Sequence, residues 1–210
     1  MSVTISKYVS QGLESLRAGE PVVVLLHGYG ANERDLASLM SFLPELAWAA
    51  PRAPESLGID AFAWYGGANP LEPTQVEVES ATTAVWHWVE RSIPEDSPLI
   101  VLGFSQGGLM ATQLLRTRPS RLIATVILAG FMFDSEQPAD AELAVDRPKV
   151  FYGRGAQDQR ITREAIGALN IWLQTHTRAQ TKSYEGLGHS IDDRVMNDVA
   201  KYVAGQLVKI

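Results

Sequence analysis

No cysteine occurs anywhere in the 210 residues. Disulfides, thiolate-based zinc sites and a thiol nucleophile are thereby excluded. Basic residues are in deficit, with 18 Lys and Arg against 24 Asp and Glu and a net charge of -6. A nucleic-acid partner wants a basic face, so none is expected. Long apolar runs are also lacking. None approaches the roughly 20 residues that cross a bilayer, so no transmembrane segment is expected. Met1–Glu20 has no basic start followed by an apolar stretch, so no secretory signal is expected, and the cytoplasm is the expected location by elimination.

The hydrophobic fraction of 46% and charged fraction of 20% are ordinary for a soluble globular chain. The length suits one domain spanning residues 1–210. Short apolar runs recur: "PVVVLLHG" from Pro21, "PLIVLGF" from Pro98, "ATVILAG" from Ala124 and "PKVFYGRG" from Pro148. They do not alternate, which is the pattern of strands covered on both faces. "LAWAAP", "TKSYEG" and a segment around Val3 to Val9 are weaker strand candidates. Between the runs lie helical faces: Leu36, Leu39, Met40 and Leu43; Val78, Ala81, Val85, Trp88 and Val89; Ala165, Leu169, Trp172 and Leu173; Val195, Val199, Tyr202 and Val203. Strands alternating with helices predict an α/β domain with a mostly parallel sheet and helices on both faces. Two long loops, Ala53 to Thr74 and Phe131 to Arg147, are too short to form a cap domain.

In such sheets, ligands sit beyond the carboxyl ends of the strands. "GFSQG" places Ser105 there, between an apolar strand and a helix, and matches a G-x-S-x-G nucleophile elbow. Two readings stand: a nucleophile lifted on a sharp turn, or a serine capping the helix. A nucleophilic serine needs a base. His27 closes the first long strand and is placed near the expected site, while His87 and His176 lie within helices and read as surface or packing residues. His189, in the glycine-flanked loop "YEGLGHSIDD", fits the chain order serine, acid, histidine. The orienting acid is Asp158, in "GRGAQDQRI" after a strand, or an ordinary turn aspartate. Asp134 is the fallback, in a segment that otherwise reads as a solvated loop. An oxyanion hole needs two N–H donors. One is the backbone of Gln106, whose side chain is then free to vary. The other is Tyr29 in "LLHGYGAN", a stretch that also reads as a glycine-rich turn with Asn32 capping a helix.

In "LLHGYGAN", "APRAPESLGIDAFAWY", "GFSQGG", "LAGF", "GRGAQDQRI" and "GLGHS", in that order, the chain resembles the phospholipase/carboxylesterase family of small α/β-hydrolases. The family includes acyl-protein thioesterases and bacterial carboxylesterases. The resemblance covers nearly the whole chain. It implies an α/β-hydrolase fold without a cap domain and Ser105, Asp158 and His189 as nucleophile, acid and base. It also implies oxyanion donation from Tyr29 and Gln106, and neither metal nor cofactor. Tyr29 stands where many relatives carry leucine, and "FAWYGG" replaces a commoner Trp-Phe-Asp pattern, so substrate choice is the property most open to change. Trp64, Tyr65, Leu71, Phe131, Met132, Ile161 and Leu187 fall on loops expected to rim the site and line an apolar acyl groove, or else to pack beneath those loops. The expected activity is hydrolysis of short- to medium-chain carboxylic esters by a monomer or homodimer acting on a small-molecule substrate. An acyl-protein thioesterase or lysophospholipase would use the same triad. A ligand-binding module on the same fold would lack part of it.

Overall fold

A computed structural model describes residues 4–67 and 69–208. Seven strands form one sheet: β1 (Tyr8–Gln11), β2 (Val22–Leu26), β3 (Ala47–Pro51), then β6 (Leu99–Phe104), β7 (Leu122–Leu128), β8 (Lys149–Gly155) and β9 (Arg178–Tyr184). A separate hairpin pairs β4 (Glu55–Gly58) with β5 (Ala61–Ala63). The helices are α1 (Gln75–Ser92), α2 (Gln106–Thr117), α3 (Asp140–Asp146), α4 (Arg163–His176) and α5 (Asp193–Leu207). The spatial order of the sheet is β1-β3-β2-β6-β7-β8-β9, with only β1 antiparallel to its neighbour.

The non-alternating apolar runs have a direct cause. Val22, Val24 and Leu26 of β2 enter one apolar cluster, with Val85 and Val89 of α1 and Leu109 and Leu114 of α2. Val23 and Leu25 enter another on the opposite face, with Val195, Val199 and Val203 of α5. A third cluster packs Val150 and Tyr152 against Leu169 and Trp172 of α4. Both faces of each central strand are therefore removed from water, which is why these runs are almost wholly apolar. Thr74 opens α1 with a capping box shared with Glu77, and the side chains of Thr162 and Asp192 cap α4 and α5.

Four local readings change. The Ala53 to Thr74 loop carries the β4–β5 hairpin. Leu36 to Leu43 forms a short 3-10 helix, Ala37–Phe42, instead of an α-helix. Leu36 and Leu43 are still buried. The segment ends at Pro44, which biases Leu43 to the extended conformation it adopts, and too few residues remain to nucleate α-helix. The N-terminal strand begins at Tyr8, and Val3 lies outside the described residues. The Phe131 to Arg147 segment is no solvated loop, because it contains α3. There Asp140 forms a buried ion pair with Arg116, at 2.8 Å from Nε and 2.6 Å from Nη2. Arg116 also donates to the carbonyls of Phe133 and Ser135, both at 2.7 Å, so one guanidinium fastens the whole loop to α2.

β2 connects toward β3 on one side, while β6 begins the series running to β9 on the other. The switch point lies at the carboxyl ends of β2 and β6, where an open α/β sheet offers its crevice.

Candidate active site

Four loops meet at that crevice. Ser105 follows β6 directly and occupies the N-cap position of α2, with φ +56° and ψ -116°. Such a backbone is sparsely populated for a residue with a Cβ and stores on the order of 1–3 kcal/mol. The surrounding contacts hold it there. The Ser105 N–H donates to the Leu128 carbonyl at 2.9 Å, and its carbonyl accepts from the N–H of Gly108 and Leu109. The hydroxyl itself makes no capping bond. It lies 2.9 Å from His189 Nε2 instead. The capping reading of Ser105 is thus not what the side chain does.

His189 Nδ1 is 2.8 Å from Asp158 Oδ2. The other carboxylate oxygen accepts the N–H of Arg160 at 2.8 Å and of Ile161 at 3.3 Å, so the Asp158 side chain is fixed at both ends. Because a carboxylate only accepts, Nδ1 carries the imidazole proton and Nε2 is left to accept from Ser105. The Phe104 ring packs against the imidazole with centroids 4.9 Å apart. The loops of acid and base are also joined by backbone, since the Gln157 N–H donates to the Leu187 carbonyl at 2.9 Å. A hydroxyl, an imidazole and a carboxylate in this chain can pass a proton from oxygen to nitrogen while the ring stays oriented.

The other candidates lie elsewhere. Asp134 and His87 are exposed. His176 stacks on Trp172 at 5.0 Å and accepts no part in this cluster. His27 is buried, with Nδ1 2.8 Å from the Gly28 carbonyl, while its Nε2 accepts the Ala53 N–H at 3.1 Å. Burial lowers its pKa below the usual value of 6.5, outweighing the hydrogen bond to Gly28 and the nearby acidic groups. The folded protein therefore keeps this ring neutral, whereas the unfolded chain binds a proton below about pH 6.5. Stability from this group is fully present above that pH and declines as the pH falls toward the depressed folded value. The thermal midpoint of the wild type is expected to drop between pH 7 and 5. His27→Asn, less stable at pH 7, should show a shallower slope over the same interval. Parallel slopes would exclude His27 as the source.

The Tyr29 loop lies against the elbow. A Cβ built on Gly28 would sit 3.5 Å from the Ser105 Cβ. Asn32 caps no α-helix. Its Oδ1 accepts from the Arg34 N–H, and its amide donates to the Asp60 carbonyl. Glu33, just beyond, is buried and paired with Arg52 at 2.5 and 2.7 Å, and this guanidinium holds its carboxyl down at about 2. Among the described residues neither the Tyr29 nor the Gln106 backbone N–H donates a hydrogen bond to protein.

The Gln106 side chain is not free to vary, as its backbone role alone would suggest. It is 1% exposed; Oε1 accepts the Trp64 N–H at 2.9 Å and Nε2 donates to the Tyr65 carbonyl at 3.0 Å. The residues expected to rim the site are divided. Trp64, Tyr65, Phe131 and Ile161 are buried in one cluster, with Leu71 half-buried at its edge. Leu187 is buried in the cluster on the opposite face of the sheet. Met132 is half-buried against the third cluster. The packing alternative accounts for the five buried side chains, and Leu71 and Met132 retain surface to offer a ligand. Phe104 and the Gln106 side chain were missed as site residues, and the only signal for them in the sequence was their adjacency to Ser105 in the glycine motif. His27, read from the sequence as lying near the site, is there, as a buried ring that shapes the Tyr29 loop.

The mostly parallel sheet, helices on both faces and elbow between β6 and α2 define the α/β-hydrolase fold, and the described residues include no cap domain. The chain belongs to the phospholipase/carboxylesterase family, whose sequence profile matches residues 14–207. It is 27% identical to acyl-protein thioesterase 1 of Kluyveromyces lactis, over 89% of this chain and 92% of that protein. It is 30% identical to pimeloyl-[acyl-carrier protein] methyl ester esterase of Aeromonas hydrophila, over 98% of this chain and 70% of the other. Among solved structures, a carboxylesterase from Mesorhizobium loti superposes with a TM-score of 0.75 at 22% identity, covering 94% of each chain. The protein is a serine hydrolase acting on ester bonds. No helix among the described residues is long and apolar enough to cross a membrane.

Proposed function

We propose that the protein is a carboxylesterase that hydrolyses short- to medium-chain carboxylic esters through an acyl-enzyme on Ser105. The observation that carries this reading is the continuous hydrogen-bonded chain from the Ser105 hydroxyl through His189 to Asp158. His189 takes the hydroxyl proton as Ser105 Oγ attacks the ester carbonyl. Asp158 holds the ring and stabilises the imidazolium. The N–H groups of Tyr29 and Gln106 receive the oxyanion, each contributing on the order of 3 kcal/mol to the transition state. His189 then returns its proton to the departing alcohol. Water repeats the sequence on the acyl-enzyme and releases the acid.

A small ester suits a half-buried Ser105 that no cap domain covers among the described residues. A thioester reading has support from the likeness to the Kluyveromyces lactis thioesterase. A fluorophosphonate probe should label the wild type and leave Ser105→Ala unlabelled; equal labelling of both would overturn the assignment of the nucleophile. Among aryl esters from acetyl to palmitoyl, kcat/KM should peak in the short to medium range. A maximum on long-chain acyl thioesters would replace the esterase reading with the thioesterase one.

A further inference from the structure

The two oxyanion donors belong to different segments, the Tyr29 loop after β2 and the first turn of α2. Neither segment hydrogen-bonds the other directly at the donor positions among the described residues. What joins them is Trp64. Its backbone N–H donates to Gln106 Oε1 at 2.9 Å. Its indole Nε1–H donates to the His27 carbonyl at 2.8 Å. The Gln106 amide closes the first of these contacts by donating to the Tyr65 carbonyl at 3.0 Å. His27, Trp64 and Gln106 are each at most 2% exposed, so these bonds do not compete with water.

The second half of the connection sets a direction. His27 Nδ1 lies 2.8 Å from the Gly28 carbonyl, which also accepts the Ala31 N–H at 3.2 Å. The Gly28 carbonyl and the Tyr29 N–H belong to one peptide plane and point opposite ways across a trans bond. Clamping the carbonyl on one side therefore aims the N–H on the other. The His27 ring is itself held by Ala53 and packs against the Trp64 indole, with centroids 5.3 Å apart.

We propose that Trp64 is a positioning residue that fixes the spacing of the Tyr29 and Gln106 N–H groups, acting through the His27 carbonyl on one side and the Gln106 side chain on the other. It touches no reacting atom. Its influence falls on the tetrahedral state, whose oxygen must meet both donors at once, and not on the bound ester. The proposal rests on the serine esterase reading above.

The test is Trp64→Phe, which keeps an aromatic ring in the cluster and deletes the indole N–H. With an acetyl aryl ester, kcat should fall about tenfold or more while KM stays within about twofold, the pattern of donors displaced by a fraction of an ångström. Inhibition by a trifluoromethyl ketone, which forms a tetrahedral oxyanion on serine, should weaken by the same factor as kcat/KM. Gln106→Met, which keeps the backbone N–H and removes both side-chain bonds, should behave alike and serves if Trp64→Phe fails to fold. Leu143→Ala, which opens a cavity beneath α3, provides a variant of lowered thermal midpoint and should keep its kcat. If the folded Trp64 and Gln106 variants retain kcat and ketone affinity within about twofold, or lose them only as Leu143→Ala does, the positioning role is refuted. A wild type that neither hydrolyses esters nor reacts with fluorophosphonate would instead refute the esterase reading, a result distinct from the other.

Discussion

Ser105→Ala is expected to lower kcat/KM on an activated aryl ester by about 10⁴- to 10⁶-fold, with the fold retained. On the proposed mechanism the loss is large because no other group replaces the oxygen that forms the acyl bond, and His189 and Asp158 serve only to deliver that oxygen. His189→Ala should therefore cost a similar factor, and the double variant should be no worse than either single one, since each removes the same pathway. Residual rate in all three would come from the Tyr29 and Gln106 N–H groups polarising the ester for attack by water. Retention of the fold follows from the geometry. The φ of +56° disfavours alanine about as much as serine, and the hydroxyl makes no capping bond whose loss would weaken α2. Steady-state kinetics with circular dichroism would check both halves. A Ser105→Ala protein within tenfold of wild type would remove Ser105 from the mechanism, and fully additive losses in the double variant would mean that the two residues act separately.

Gly107→Ala is expected to have the largest effect on stability. A Cβ there would lie 1.9 Å from the Leu26 carbonyl oxygen and 2.7 Å from that of His27. Both are backbone atoms. Leu26 cannot retreat, because β2 is paired to β6 on one side and β3 on the other. The helix cannot retreat either, because a Cβ on the next residue, Gly108, would already lie 2.8 Å from the Gly130 Cα. A clash of this kind belongs to the rare substitutions that exceed about 4 kcal/mol. For a chain of this size that is a fall in thermal midpoint on the order of 10 °C, or failure to accumulate as soluble protein. Activity should be lost together with stability, since the displaced carbonyl of His27 is the one that Trp64 holds. Gly167→Ala gives the contrast. It lies inside α4, where an added Cβ meets nothing within 4 Å, and it should stabilise by about 0.5–1 kcal/mol. Thermal melts of both variants decide the point. A Gly107→Ala protein that melts with the wild type would show that the elbow tolerates a side chain after all.

Ser105→Ala and Gly107→Ala act at an elbow that is legible in the sequence. Apolar runs at or next to glycine marked β2, β6, β7 and β8, and helical spacing followed all but β7. The polar residues just past those runs marked the loops that carry Tyr29, Ser105 and Asp158. Burial on both faces imposes a composition, and composition survives in a linear string. The four residues of the Leu36 helical face misled for the same reason. Leu36 and Leu43 do point inward, but a hydrophobic pattern does not report that the segment is too short for α-helix before Pro44.

The choices that stayed open were those between two partners for one group. Ser105 as a cap and Ser105 as a nucleophile have the same neighbours in sequence. The missing capping bond and the 2.9 Å approach of His189, 84 residues away, favour the nucleophile. Asp140 and Asp158 are both aspartates past a strand. Asp140 at the start of α3 meets Arg116 of α2, whereas Asp158 meets His189 past the ends of the neighbouring strands β8 and β9. The aromatic loop residues were legible as apolar and as close to the site. Whether Trp64 faces substrate or core depended on packing against α1 and α2, which no local pattern encodes. The sequence by itself determined which residues form the central strands of the main sheet, though not the β4–β5 hairpin, where the glycines must allow close approach, and which residue types collect at the strand ends. The tertiary structure alone decided which hydrogen bonds those groups make, because a bond between distant segments exists only once the sheet has set their distance and direction.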